Sequence, residues 1–252
     1  MPKTVIVTGA ASGFGLGASL ALADRGHHVI ATTETTEQTE RLRIDAPALR
    51  VERVDITTDD VDQVAGWDAD VLINNAGVGQ TGPMADVPLD RVRRLFEVNV
   101  FGTLAITQKV LPGMLKRGSG RVIIVSSIGG LKCFPTFGPY NMTKHALEAM
   151  GKTLRLELEP QGIDVTLLNP GPYGTGFNDR MVDSMWEWFN DESLQAASKA
   201  MFSEMHAAAL IDQLDPAEVV AKIVGLTEAD QTEQNNIVPA DGVESLQEST
   251  GY

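Results

Sequence analysis

A single cysteine, Cys133, stands in a chain of 252 residues. No internal disulfide can form, which agrees with a reducing compartment and points to a cytoplasmic protein. Cations are scarce too: 20 lysines and arginines against 34 acidic residues leave a formal net charge of −14. Nucleic acid needs a basic face for its phosphates, so this balance argues against that partner and against anionic membrane surfaces. The acidity itself reads as solubility rather than as a signal for a special partner. No apolar run is long enough to span a bilayer. The start, Met1-Pro2-Lys3-Thr4, passes straight into an apolar strand, with neither the apolar core nor the cleavage site of a secretory signal. Only four histidines occur. His27 and His28 are neighbours with no third ligand in view, so they read as exposed loop residues and no metal site is expected. Repeats, low-complexity tracts and linkers are also missing. What is present is a 43% hydrophobic composition, ample for the core of one α/β domain over residues 1–252.

The first apolar run, residues 4–7, is β-branched and reads as a buried parallel strand. It feeds Thr8-Gly9-Ala10-Ala11-Ser12-Gly13-Phe14-Gly15, and Leu16, Leu20, Ala21 and Ala23 then mark a helix ending near Gly26. Strand, glycine turn and helix N-terminus in succession make an anion site. The glycines let the backbone approach a pyrophosphate, and the helix dipole favours its charge. Gly9, Ser12, Gly13, Phe14 and Gly15 are therefore candidate cofactor contacts, although the spacing is not G-x-G-x-x-G and a plain tight turn is the alternative.

A second strand, 29–32, ends at Thr33-Glu34. At this point an acidic residue takes the ribose hydroxyls of a dinucleotide, or an arginine takes a 2′-phosphate. Glu34 would repel a phosphate and accept from a diol; alternatively it opens a solvated loop before a helix over 37–44. Arg25, Arg41 and Arg43 are the cations near enough in sequence to reach round to a phosphate. A third strand, 49–54, ends at Asp55-Ile56, at the strand edge where open α/β sheets bind ligands. A short helix fits between Thr58 and Asp68. A fourth strand, 71–73, runs into Asn74-Asn75-Ala76-Gly77, small and amide residues that suit close backbone approach or an ordinary turn.

Residues 90–115 carry one long helical pattern with Asn99 inside it, a polar group that must satisfy its amide if buried. A fifth strand, 121–125, delivers Ser126 and Ser127 at its carboxyl end, and a sixth, 164–168, delivers Asn169-Pro170-Gly171-Pro172-Tyr173-Gly174-Thr175. Residues 177–210 are rich in methionine and tryptophan, the composition of an adaptable pocket wall or of helices packed on the body. Asp215-Pro216-Ala217-Glu218 reads as an N-cap, a first-position proline and first-turn acid. A last strand is expected at 236–238, and a loose tail from Gly242.

The chemistry centres on Tyr140 and Lys144. Pro139 suits a first helical position, and a four-residue spacing on a helix puts both side chains on one face. A free tyrosine ionises near 10, too high for acid–base work at neutral pH. A nearby ammonium favours the phenolate and is expected to bring that value down.

These residues together, from Thr4 to about Phe177, resemble the short-chain dehydrogenase/reductase family. The resemblance is carried by Thr-Gly-x-x-x-Gly-x-Gly at Thr8 to Gly15, by Asp55, by Asn-Asn-Ala-Gly from Asn74, and by Asn99 in Asn-Val-x-Gly. It is completed by Ser127 thirteen residues ahead of Tyr140, by Tyr-x-x-x-Lys, and by Pro170-Gly171 with Thr175. Ser127-Ile128-Gly129-Gly130-Leu131 and Pro170 to Phe177 look most like the 17β-hydroxysteroid and retinol dehydrogenase branch. The resemblance implies a Rossmann fold, a doubly wound seven-stranded parallel sheet with helices on both faces. It also implies NAD(P)-dependent interconversion of a secondary alcohol and a ketone on a small-to-medium apolar substrate. Ser127 would hold the substrate oxygen, Tyr140 would exchange the proton, and Lys144 would lower the tyrosine pKa and bind the nicotinamide ribose. Asn99 would hold a water linking Lys144 to solvent. Ile56, Asn75, Ala76, Gly77, Pro170, Gly171, Tyr173 and Thr175 would line the cofactor, and relatives pair as homodimers or homotetramers through the helices that carry Asn99 and Tyr140. Ser12 and Glu34 stand where NADP-using relatives place a cation, so NAD is favoured over NADP. A non-catalytic dinucleotide sensor on the same fold predicts a broken Ser-Tyr-Lys set, and here the set is intact. Epimerases and dehydratases of the extended branch carry a different glycine spacing.

Overall fold

The computed structural model describes residues 1–240, and the expected loose tail from Gly242 lies outside them. The β-branched runs pair into a sheet that is parallel throughout. Its strands are β1 (Thr4–Val7), β2 (His28–Thr33), β3 (Arg50–Arg53), β4 (Val71–Asn74), β5 (Gly120–Val125), β6 (Ile163–Pro170) and β7 (Asn235–Val238). Their spatial order is β3-β2-β1-β4-β5-β6-β7. Alternation along each strand sends neighbours to opposite faces. Val5 and Val7 pack with Leu22, Leu42, Val219 and Ile223, whereas Ile6 packs with Leu72, Ile106, Val110, Met114 and Leu147. One face is therefore covered by α1 (Gly13–Asp24), α2 (Thr36–Asp45) and α8 (Ala217–Glu228). The other is covered by α4 (Thr103–Arg117) and α5 (Gly138–Leu158), with α3 (Leu89–Phe96) beside them. Parallel strands need cover on both faces, and these helices supply it.

The pattern over 90–115 does not form one regular helix. Between α3 and α4 the chain widens into a π-helical turn, Glu97–Gly102, which contains Asn99. Two contacts accompany the widening. Asn99 binds the backbone of Val78 outside the helix, and a Cβ on Gly102 would stand 2.7 Å from Ile56 Cγ1. Such turns recur at functional positions.

His27 is also placed differently from the expectation of an exposed loop. Its side chain is buried, accepts from the Lys3 amide at 3.1 Å and meets Glu228 at 3.2 Å. His28 is the first residue of β2. Helix α8 begins at Ala217, one residue beyond the pattern's first helical position, with the Asp215 carboxylate accepting from the Ala217 amide at 2.9 Å. The aromatic stretch divides. Part of it forms α6 (Phe177–Asp183) and α7 (Lys199–Leu210), while Met185, Phe189 and Phe202 pack with Trp186 and Trp188 in a small core of their own.

Arg121 fastens the far end of the sheet. Buried at the start of β5, it pairs with Asp164 of β6 at 2.8 Å and donates to the carbonyls of Ala229 and Asp230 at 2.7 and 3.1 Å. Arg121→Met should cost about 3 kcal/mol, because it removes the buried guanidinium that serves Asp164 and those carbonyls together. The check is the chemical denaturation midpoint at unchanged slope; a loss below about 1 kcal/mol would contradict the role given to Arg121.

Candidate active site

The strand order reverses between β1 and β4, and the carboxyl ends there open a crevice. Every residue expected at the site except Gly15 and Asn99 lines this single cleft of about 720 Å³. Its volume lies within the usual range for ligand sites.

The glycine turn forms one wall. Gly9 has φ +66°, and a Cβ there would stand 2.7 Å from the Ala76 Cα. Gly15 is behind the cleft surface, where a Cβ would meet the Gly9 carbonyl oxygen and Asn75 Nδ2 at 2.5 Å. Asn75 braces the turn by donating from Nδ2 to the carbonyls of Thr8 and Gly9 at 2.9 and 3.1 Å. Thr8 Oγ1 in return accepts from the amides of Asn75 and Ala76 at 3.0 and 2.9 Å. Ser12 is the N-cap of α1 and makes no capping bond with its side chain. A tight cradle at an uncapped helix start fits the pyrophosphate of a dinucleotide.

Glu34 lies on the rim at the end of β2, where Gln38 caps the start of α2 by accepting from the amides of Glu34 and Thr35. None of the three arginines nearby in sequence comes to Glu34. Arg25 pairs with Glu228, Arg41 with Asp45, and Arg43 donates to the Val51 carbonyl. The cation that does is Arg94 of α3, whose Nη2 stands 3.3 Å from Glu34 Oε1. Asp55 lines the cleft beside them. Burial works to raise its pKa, but hydrogen bonds from Thr57 and the charges of Arg94 and Arg53 outweigh that and hold the carboxyl low.

Ser127, Tyr140 and Lys144 meet on the opposite wall. Ser127 follows β5 with an extended backbone, its Oγ accepting from the Gly129 amide at 3.0 Å, and it also hydrogen-bonds Tyr140. Tyr140 is buried, with the Phe177 ring 5.9 Å away. Lys144 Nζ lies 5.5 Å from the centre of the Tyr140 ring and donates to the Val125 carbonyl at 2.9 Å. The expected lowering of the tyrosine pKa is not found. Burial raises it, with only the Ser127 hydrogen bond acting the other way. A phenolate withdrawn from water loses more solvation than one hydrogen bond restores. Lys144 is itself pushed down to about 8 by burial, against the pull of Glu148. Glu148 is a further buried group, held by Asn169 at 2.6 Å and Asn235 at 2.7 Å.

Asn99 does not open onto the cleft. Its Oδ1 accepts from the Val78 amide at 2.8 Å, and its Nδ2 donates to the Val78 carbonyl at 2.9 Å and to Thr143 Oγ1 at 3.1 Å. It thus ties the loop after β4 to the helix that carries Tyr140. Tyr173 reaches the cleft, yet its hydroxyl donates to Glu218 of α8 and its ring packs edge-on against Phe14. Thr175 Oγ1 accepts from the Phe177 amide at 3.3 Å.

The remaining wall is apolar: Val78, Phe134, Phe137, Phe177, Met181 and Met205. Phe134 and Phe137 are additions to the expected set. The signal for them was the aromatic pair standing just before Tyr140 in Phe134-Pro135-Thr136-Phe137. Among the described residues no three His, Cys, Asp or Glu side chains gather to hold a metal, and no helix is long and apolar enough to cross a membrane.

Gly9→Ala tests the cradle. The added methyl meets backbone in a conformation that costs about 1–3 kcal/mol for a residue with a Cβ. NADH affinity, read by fluorescence titration, should fall at least about fivefold in a protein with a native circular dichroism spectrum. Unchanged affinity would remove the turn from the binding site.

Comparison with known proteins agrees with this geometry. A family model described as short chain dehydrogenase matches residues 3–186. An uncharacterized oxidoreductase of Bacillus subtilis, YusZ, is 45% identical over 185 residues, which cover 69% of this chain and 66% of that relative. Bovine retinol dehydrogenase 8 is 29% identical over 249 residues, covering 89% of this chain and 78% of the relative. A solved short-chain dehydrogenase from Streptomyces avermitilis superposes with a TM-score of 0.83 at 31% identity, covering 98% of this chain and 91% of the other.

Proposed function

The chain belongs to the short-chain dehydrogenase family of oxidoreductases, and from that premise we propose that it interconverts a secondary alcohol and a ketone on an apolar substrate, with Tyr140 exchanging the proton. The observation that carries the reading is the meeting of Ser127, Tyr140 and Lys144 in the same cleft as the glycine cradle, with Lys144 beside the Tyr140 ring. A bound nicotinamide dinucleotide supplies the hydride acceptor for oxidation or the donor for reduction. Ser127 holds the substrate oxygen against Tyr140. Tyr140 takes the alcohol proton in oxidation and returns it in reduction. Lys144 binds the nicotinamide ribose. Asn99 is a positioning residue that fixes α5 against the loop after β4. The apolar wall, with α6 and α7 as a lid, receives the substrate body. A retinol-dehydrogenase-like substrate and a cytoplasmic setting belong to the same reading.

Tyr140→Phe removes the hydroxyl alone, and with it the exchangeable proton. It should abolish turnover while NADH affinity stays within about twofold, and retention of more than about a few per cent of the rate would refute the role. The pH dependence follows from the environment. Burial keeps the phenol protonated at neutral pH, so oxidation should accelerate as the solution becomes alkaline. Reduction uses the protonated phenol and should stay level at neutral pH, then decline above about 8 as Lys144 loses its charge. A flat oxidation profile, with hydride transfer rate-limiting, would contradict this.

NAD is put ahead of NADP because the Glu34 carboxylate lies on the cleft rim just after β2, where this reading sets the adenosine ribose, and pairs with Arg94. An opposed charge at an exposed site is worth roughly 1 kcal/mol, so kcat/KM should favour NAD by about fivefold. Glu34→Ala should narrow that gap by freeing Arg94 for the 2′-phosphate, and Glu34→Arg should close or reverse it. Equal or better use of NADP by the wild type would show that the charge reading is wrong.

The same reading makes the protein a homodimer or homotetramer. Phe101 of the π-helical turn and Met142 of α5 are exposed apolar side chains on the segments through which relatives pair. Sedimentation at micromolar concentration should find the assembly; a monomer would dispose of it.

A further inference from the structure

Arg180 is an unusual cation in this chain. Ten of the twelve arginines have a carboxylate partner, and among the described residues only Arg93 and Arg180 have none. Arg180 is the one of these two that lines the cleft. It sits on α6 immediately before Met181 and Val182, which belong to the apolar wall. Its guanidinium is accommodated by Gly176. A Cβ there would stand 3.2 Å from Nη1, and the turn takes φ +73°. The preceding residue, Thr175, lies against the glycine turn, its Cβ 3.4 Å from where a Cβ on Gly13 would be.

A chain of net charge −14 repels anions at long range, and a local, uncompensated cation offsets that repulsion where an anion binds. The other cation on the cleft wall, Lys144, is buried and engaged with the Val125 carbonyl. Arg180 is exposed at the junction of the apolar wall and the pyrophosphate cradle. A planar guanidinium is suited to carboxylate and phosphate oxygens.

We propose that Arg180 binds an anionic group inside the cleft: the carboxylate or phosphate end of an amphipathic substrate, or the pyrophosphate of the cofactor. The inference rests on the dehydrogenase reading of the cleft, because that reading supplies both candidates. In the first case the substrate class narrows to apolar molecules with a charged head. In the second, α6 closes over the cofactor through this contact.

The test uses binding, which needs no turnover, so its failure is distinct from a failure of Tyr140 to act. The full chain and its Arg180→Gln and Arg180→Lys variants are titrated with NADH by fluorescence. In the presence of NADH they are then titrated with sodium decanoate and with 1-decanol by thermal shift. A charge-assisted contact should appear as a change of about tenfold or more. If Arg180 serves the substrate, decanoate binds the wild type more tightly than decanol by that factor. Arg180→Gln then erases the difference with NADH affinity unchanged, and Arg180→Lys retains part of it. If it serves the cofactor, Arg180→Gln weakens NADH by that factor and leaves the ratio of decanoate to decanol alone. Either result supports an anion site at Arg180. If Arg180→Gln moves neither quantity, the proposal is overturned.

Discussion

Tyr140 and Lys144 are taken out of water together on one face of α5, and the rest of the site is built round that cost. Burial alone pushes the phenol up and the ammonium down, each toward its neutral form. The ammonium is tolerated because the Val125 carbonyl accepts from it and Glu148 supplies opposite charge a turn further on. Glu148 is itself buried and needs partners of its own. Asn169 at the end of β6, Asn235 of β7 and Lys152 provide them at 2.6, 2.7 and 3.3 Å. The requirement thus spreads from one helix face to the carboxyl end of β6 and the first residue of β7. Gly130 belongs to the same set, because a Cβ there would stand 2.9 Å from the Lys144 carbonyl oxygen and 3.1 Å from Glu148 Cγ. A connected, satisfied polar network of this kind rigidifies the groups it holds.

The opposite wall answers a different demand, close backbone approach to an anion. Thr8, Asn75 and Ala76 lock the loop after β4 against the glycine turn, so the two strands flanking the reversal in strand order share one rigid edge. Asn99 links that edge to α5. Its bonds to Val78 and Thr143 join the two walls, and Thr143 Oγ1 donates in turn to the Tyr140 carbonyl at 2.8 Å. The widened turn around Asn99 is therefore the hinge point of the site's geometry rather than a local irregularity. Tyr140 and the glycine cradle are held in fixed relation by the hydrogen bonds of the Asn99 and Thr143 side chains.

Features set by local spacing were readable from the chain itself. Tyr140 and Lys144 share a helix face by their spacing alone, and the glycine turn announced itself between an apolar strand and an apolar helix pattern. Strands followed from β-branched runs, and their parallel, doubly wound arrangement from family resemblance. Features set by distant residues were not readable. Arg94 meets Glu34 across 60 positions, whereas the arginines nearby in sequence turn elsewhere. His27 is covered by Lys3 and Glu228, which lies 201 positions away. The π-helical turn escaped notice because the apolar periodicity continues on both sides of it. The direction of the Tyr140 shift escaped for a related reason. A neighbouring charge is visible in sequence, but the loss of water around a phenol depends on the packing of the whole cleft.

The central claim is that burial sets the acidity of Tyr140 more strongly than its lysine neighbour does. Labelling the tyrosines with carbon-13 at Cζ gives only three signals to follow by NMR across an alkaline titration, and Tyr140→Phe assigns the one that matters. In the cofactor-free protein the Tyr140 signal should titrate above the ordinary tyrosine value of 10.0. A Tyr140 signal that titrates below that value would contradict the account and return the decisive role to the charge of Lys144.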